Sequence, residues 1–310
     1  MSWNKPLAVI GTRGSQLALW QSNFIAGELR KLHPGLQVEL KIIKTSGDRF
    51  QEQALSNIGK GAFTKEIQEA LLAGEVDVAV HSLKDLPTAA PLGLRVWANP
   101  PRFDPRDAWI GRDGLDYEQL GSSPVVATGA LRRSAQVKHR FPHAVIEPLR
   151  GNVDTRLRKF AEGRMHGMFL AAAGLTRLGL TEHITARLDP KIFLPAPGQG
   201  ALAIEGRDDA TTGSLLAPLD DPGTRAQVTA ERAFLSTLEG GCQVPIAALA
   251  TTVGDDLVLD GLVADLTGHT LLREQLRGPA RAAFALGEHL AETLKSRGAD
   301  QILKQLKTTT

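Results

Sequence analysis

Three segments of this sequence share one chemistry. In each, an apolar run ends in a turn holding glycine, a hydroxyl or amide residue and arginine, and a helix-forming run follows. They are Gly11-Thr12-Arg13-Gly14-Ser15, Thr128-Gly129-Ala130-Leu131-Arg132-Arg133 and Arg150-Gly151-Asn152-Val153-Asp154-Thr155-Arg156. Free N–H groups and the positive dipole end at a helix N-terminus favour an anion, and arginine adds planar, bidentate donors for carboxylate or phosphate. One such turn is ordinarily a surface arginine beside a cap. Three at the same kind of strand end point to an anionic ligand.

Two further turns carry reactive groups. Val80-His81-Ser82-Leu83-Lys84-Asp85-Leu86-Pro87 ends a strand, and Asp85 reads either as a solvated turn former or as a carboxylate kept ionised by Lys84 and nearby arginines. In the second reading it stabilises a cationic intermediate and moves protons. Glu239-Gly240-Gly241-Cys242-Gln243-Val244-Pro245 places the chain's one cysteine among two glycines and a proline, an exposed turn where thiol chemistry is open to it. Gly59-Lys60-Gly61-Ala62-Phe63 is not a phosphate loop, and its glycines suggest a mobile lid carrying Lys60. Gly11-Thr12-Arg13-Gly14 lacks the spacing of a dinucleotide-binding turn.

Composition narrows the function classes. The 310 residues are 42% hydrophobic and 23% charged, which is a globular composition of two or three domains. A single cysteine excludes a disulfide framework and a multi-thiolate zinc site. No stretch approaches the roughly 20 apolar residues of a membrane span, and the N-terminus does not read as a signal peptide, so cytoplasmic residence is the default. The net charge of +2 conceals 23 Arg against 13 Lys, and nine basic against three acidic residues between Thr128 and Arg164. Nucleic-acid binding through that segment is opposed by the low overall charge and by arginines sorted to strand ends rather than to one helix face.

The elements that must position these turns alternate. Leu7 to Ile10 reads as a strand, Ser15 as the N-cap of a helix to about Leu29, Val38 to Ile43 as a strand, Phe63 to Leu72 as a helix and Val76 to His81 as a strand, the signature of a parallel sheet. Prolines 100, 101 and 105 make a stiff crossing. A second unit follows: strand Val125 to Ala127, helix Leu131 to Phe141, strand Val145 to Leu149, helix Val153 to Glu162 and strand Met168 to Ala172. Leu194 to Gly200 is a second crossing, before a short strand from Ala201 to Ile204. Ala217 to Gly223 reads as a linker into helix Arg225 to Leu238, strands Ile246 to Val253, Leu257 to Val263 and Thr270 to Leu276, and helix Ala282 to Lys295. The fold class is α/β: two α/β domains around a cleft plus a small α+β C-terminal domain. Domain 1 is 1–99 with 200–217, domain 2 is 100–199 and domain 3 is 222–310.

The segments TRGSQLALWQ, HSLKDLPT, DPRDAW, LRRSAQ, LRGNVDTRL, AAAGLTRLG, PAPGQGALAIE and EGGCQVPI together resemble the porphobilinogen deaminase (hydroxymethylbilane synthase) family, in order and over essentially the whole chain. The resemblance implies two domains like those of type II periplasmic binding proteins and a third carrying a covalent dipyrromethane cofactor on Cys242. It implies a monomeric cytoplasmic transferase that joins four porphobilinogen units into hydroxymethylbilane with release of ammonia, without nucleic acid, membrane or metal. The family's catalytic carboxylate falls on Asp85. Its carboxylate-binding arginines fall on Arg13, Arg132, Arg133, Arg150, Arg156 and Arg177, with Ser15, Ser82, Lys84, Thr128 and Gln199 as further contacts and Lys60 and Phe63 in the lid.

The sequence departs from the family where TSSLRR is common, having Gly129 and Ala130 in place of two hydroxyls. Asp154 replaces a common glycine, and Asn57 stands near a frequent lysine in a segment one residue shorter. The alternative reading is a non-catalytic solute-binding protein of the periplasmic type II fold, which would have no use for the EGGCQ turn.

Overall fold

The computed structural model describes residues 3–49, 63–239 and 244–308. Along the chain run β1 (Leu7–Thr12), α1 (Gln16–Leu32), β2 (Gln37–Ile42), α2 (Ser46–Arg49), α3 (Lys65–Leu72), β3 (Val78–Ser82), β4 (Leu94–Ala98), β5 (Asp107–Gly111), β6 (Val125–Ala127), α4 (Leu131–Arg140), β7 (Val145–Glu147), α5 (Val153–Glu162), β8 (Gly167–Ala171), α6 (Ala172–Leu178) and β9 (Ala186–Arg187). Then come β10 (Leu202–Arg207), α7 (Ala210–Leu216), α8 (Pro222–Thr237), β11 (Ile246–Val253), β12 (Asp256–Ala264), β13 (Leu271–Pro279), α9 (Ala283–Ser296) and α10 (Ala299–Thr308). The fold is mixed α/β and divides into two compact units, residues 1–103 with 201–225, and 104–200 with 226–310.

The first unit is built on a sheet of order β2-β1-β3-β10-β4. Strands β1, β2 and β3 are parallel, as the alternating pattern requires, but β10 is antiparallel to both its neighbours. The parallel pairing read from the sequence holds for these three strands, and the direction of β10 is not part of that reading. The strand after the second crossing enters from the opposite direction, which short-range pattern cannot reveal. Period-two alternation puts Ala8, Ile10, Val78, Val80, Leu202 and Ile204 in one core with Ile25, Ala26 and Leu29 of α1. Ala79 faces the other way, against Ile67 and Leu71 of α3. Each fully buried Leu or Ile there is worth about 1.5–3 kcal/mol.

The second unit repeats the design. Its larger sheet has order β7-β6-β8-β5-β9, with β6, β7 and β8 parallel and β5 antiparallel, entering directly after the first proline crossing. The sequence reading did not assign β5. Its antiparallel three-stranded sheet, β11-β12-β13, packs one face on α8 and α9 through Phe234 and Leu290. On the other face Ala247, Leu249, Leu262 and Ala264 meet Ala135 of α4 and Leu194. Apolar residues on both faces of β11 follow from this double packing. The linker read at Ala217 to Gly223 is instead structured: Ala217–Leu219 is a 3-10 turn and α8 begins at Pro222.

Candidate functional site

In the first unit, parallel pairing of β1 with β3 (Gly11 opposite Ala79) brings the turns after both strands to one sheet edge. Ser15 does what its position predicts: its side chain accepts from Ala18 N at 3.3 Å and starts α1. Thr12 is buried and its hydroxyl donates to Ala18 O, tying the strand end to the same turn. Arg13 is half-buried, its guanidinium 4.3 Å from the centre of the Phe63 ring, a cation–π contact. The ring also covers Gly47, where any Cβ would run into it. Lys60 and Asn57 lie outside the described residues.

Asp85 closes the 3-10 turn Leu83–Asp85 and is exposed, with Lys84 half-buried beside it. The turn is pinned by its neighbours. Leu83 N donates to Ala201 O at 3.1 Å and its side chain is buried, while Gln21 Nε2 of α1 donates to Ser82 Oγ at 2.8 Å. Because Oγ accepts from Gln21, the Ser82 hydroxyl proton is left to be donated elsewhere, which suits a carboxylate ligand. Gln21 was missed by sequence reasoning; the signal available was a polar residue on the buried face of an amphipathic helix.

In the second unit, β6 and β8 end at the same edge where antiparallel β5 begins. Thr128 is buried, its hydroxyl accepting from Ala130 N at 3.2 Å. Gly129 is needed for close approach, since a Cβ would come within 2.9 Å of Leu149 O. Neither α4 nor α5 has a side-chain cap at its N-terminus, so backbone N–H groups stay open to an anion there. Arg150 and Arg156 are half-buried, and Arg156 Nε donates to Gly151 O at 2.7 Å. Asp154 is exposed in the first turn of α5, where a negative charge is favoured by the dipole.

Arg132 and Arg133 are placed differently. Each is 5% exposed and both are paired with Asp107, which is fully buried at the start of β5. Arg132 also donates to Leu194 O, Arg133 to Phe169 O, and Gln199 Nε2 to Asp107 Oδ1 at 3.1 Å. Burial pushes the Asp107 carboxyl up, and the two guanidinium groups more than reverse this, holding it well below the usual carboxylate range. Burial lowers Arg133 despite its partner, and lowers Arg177 to about 10. Arg177 donates to Gly200 O at 2.8 Å. Asp107 was not singled out from the sequence, although it lies within DPRDAW. Cys242 lies outside the described residues.

Comparison with known proteins decides the family. Residues 8–214 match the family model described as porphobilinogen deaminase, dipyromethane cofactor binding domain, and residues 225–296 match porphobilinogen deaminase, C-terminal domain. The chain belongs to the porphobilinogen deaminase family. The porphobilinogen deaminase of Syntrophotalea carbinolica is 51% identical over 97% of this chain and 96% of its own length. That of Pelobacter propionicus is 47% identical over 96% of each, and that of Chromobacterium violaceum 47% over 95% and 96%. Among solved structures, an ancestral cationic amino acid solute binding protein aligns over 69% of this chain and 88% of its own, with 14% identity and a TM-score of 0.43. Relatedness along almost the whole chain favours the porphobilinogen deaminase reading over a non-catalytic solute-binding one.

Proposed function

We propose that this chain condenses four porphobilinogen molecules head to tail on a dipyrromethane primer, releasing ammonia at each step and giving hydroxymethylbilane. Family membership supports the activity. The observation that carries the assignment of its chemistry is Asp85, exposed on a turn held from β10's side by Ala201, from α1 by Gln21 and from the core by Leu83.

Loss of ammonia from porphobilinogen leaves an electron-poor azafulvene with positive charge spread toward the pyrrole nitrogen. In this reading Asp85 accepts a hydrogen bond from the pyrrole N–H, opposes that charge and then takes the proton from the newly substituted α-carbon. Every pyrrole carries an acetate and a propionate, so each unit brings two carboxylates. Arg13, Ser15, Ser82 and Lys84 in the first unit would receive them, with Thr128, Arg150, Arg156, Arg177, Gln199 and the Arg132–Arg133 pair in the second. Two guanidinium groups against one carboxylate leave a net positive charge at Asp107. A charge-assisted hydrogen bond is worth about 1.5–3 kcal/mol.

The dipyrromethane group, joined by a thioether to Cys242, would supply an electron-rich α-carbon as acceptor for the first unit. Guanidinium groups at strand ends, the free Ser82 hydroxyl proton and the uncapped N-termini of α4 and α5 fit its carboxylates. The reading extends to Lys60 and Phe63 as lid residues, to three domains at 1–99 with 200–217, 100–199 and 222–310, and to a cytoplasmic monomer. Among the described residues no helix is long and apolar enough to cross a membrane.

Asp85→Asn tests the assignment. The variant should fold and carry the two-pyrrole adduct by intact mass, yet lose turnover almost completely. Retention of a tenth of the wild-type rate would refute the role.

A further inference from the structure

Beneath the Asp85 turn lies a buried polar cluster that the catalytic reading does not use. Glu205 on β10 is 0% exposed; its carboxyl oxygens accept from Gln68 Nε2 at 3.0 and 3.2 Å, and one of them is hydrogen-bonded to His81 Nε2 at 3.0 Å. Sheet register explains the meeting. Ala203 stands opposite His81 and Glu205 opposite Ala79, so His81 and Glu205 are diagonal neighbours on the face that α3 covers with Gln68.

Two facts argue against a purely stabilising role. Replacing a buried charged cluster by apolar side chains is often neutral or stabilising, so stability alone gives little reason for a carboxylate here. The β10–β4 pairing also carries an irregularity between Ile204 and Glu205, so Glu205 stands where that ladder changes register. On its other side β10 pairs with β3, the strand that ends in the Asp85 turn. A slip there would move Ser82 and Asp85 together.

We infer that Glu205, acting through His81, is a positioning residue that fixes the register of β3 at its C-terminal end and so the place at which Asp85 is presented. The inference rests on Asp85 being the catalytic carboxylate. Glu205 and His81 touch no substrate in it; they act through the turn.

The test replaces the cluster as a whole in the holoenzyme: Gln68→Leu, His81→Leu and Glu205→Leu together. A thermal transition at or above that of wild type, unchanged adduct mass, a KM for porphobilinogen within twofold and a kcat at least tenfold lower support positioning. His81→Gln, whose amide can still donate to Glu205, should recover kcat to within threefold. Wild-type kcat in the triple variant overturns the inference, as does a kcat loss matched by loss of adduct or by a lowered transition. If the triple variant is insoluble, His81→Leu against His81→Gln reads the same contrast: equal kcat values overturn the inference, and loss only in His81→Leu supports it. Asp85→Asn separates the two layers. Activity retained there removes the catalytic reading itself, whereas an inactive Asp85→Asn beside a fully active triple variant overturns the positioning role alone.

Discussion

Asp107→Asn puts the most informative strain on the second unit. The side chain keeps its volume and loses its charge, and an amide N–H is turned toward guanidinium donors. Wild-type Asp107 accepts from Arg132 at 2.7 and 3.3 Å, from Arg133 at 2.6 and 3.0 Å and from Gln199 at 3.1 Å. Removing one partner of a buried ion pair costs about 3–5 kcal/mol. Here one change strands two cations, which argues for the upper end. Arg132 keeps its bond to Leu194 O and Arg133 its bond to Phe169 O, which argues against any larger figure. The expected loss is about 4–5 kcal/mol by that reasoning.

The tryptophans make this measurable. Trp3, Trp20 and Trp97 belong to the first unit, while Trp109 is fully buried two residues from Asp107 in the second. In a background with the first three changed to Phe, denaturant unfolding followed by Trp109 fluorescence reports the second unit. The pH dependence supplies a second check. The Asp107 carboxyl is depressed in the folded state, so its contribution is present above the unfolded value of about 4 and is lost as pH falls toward the folded one. Wild type should lose stability on acidification below about pH 4 more steeply than Asp107→Asn. A loss under about 1 kcal/mol, or identical acid limbs, would refute the reasoning.

Other outcomes follow from single contacts. Cys242→Ser should lack the covalent two-pyrrole adduct, and a mass spectrum or Ehrlich reaction still showing it would exclude Cys242 as the attachment point. Gly167→Ala should destabilise the second unit by about 3 kcal/mol, because a Cβ there meets the ring of Trp109; a Trp109-monitored midpoint equal to wild type would count against this packing. Asp265 is lowered to about 2, because hydrogen bonds from Thr267 and Thr270 outweigh the upward push of burial. Its contribution is therefore present above about pH 4 and fades toward pH 2. Asp265→Ala should cost about 1 kcal/mol after solvent screening and speed amide exchange at Thr267 and Thr270, which wild-type exchange rates would contradict.

Local pattern made much of this fold legible. The bounds Ile246–Val253 and Val153–Glu162 are those the alternation and helical periodicity predict, and Ser15 caps α1 as its chemistry requires. What stayed hidden depends on distant chain. Strand β5 begins two residues after three prolines in six, a breaker signal that hides its start, and α6 begins directly at the end of β8 with no turn residue to mark it. The direction of β5 and β10 is set by which sheet they join, and nothing within six residues encodes that. The turns bearing Asp85 and the arginines were visible because their residue types are unusual for their places. Gln21, Asp107 and Glu205 were not, because a lone polar residue in an apolar run reads as noise until its partner is known.

That partner changes what the arginine excess means. Sequence alone gives the Thr128 to Arg164 stretch nine basic residues against three acids and makes every arginine equivalent. Asp107 lies outside that stretch, yet it fixes Arg132 and Arg133 with five hydrogen bonds counted together with Gln199, before any ligand arrives. A guanidinium already ordered by a buried carboxylate loses little further entropy on meeting an anion. In the proposed function, Arg132 and Arg133 would therefore serve as a fixed point common to every step of a growing polyanion. Arg13, over the Phe63 ring, and Arg150 and Arg156 are only half-buried, and in the same reading would meet carboxylates of units added later. On that proposal, it is the division between a deeply buried, carboxylate-held pair and half-buried donors, rather than the number of arginines, that would let one set serve successive intermediates of different length.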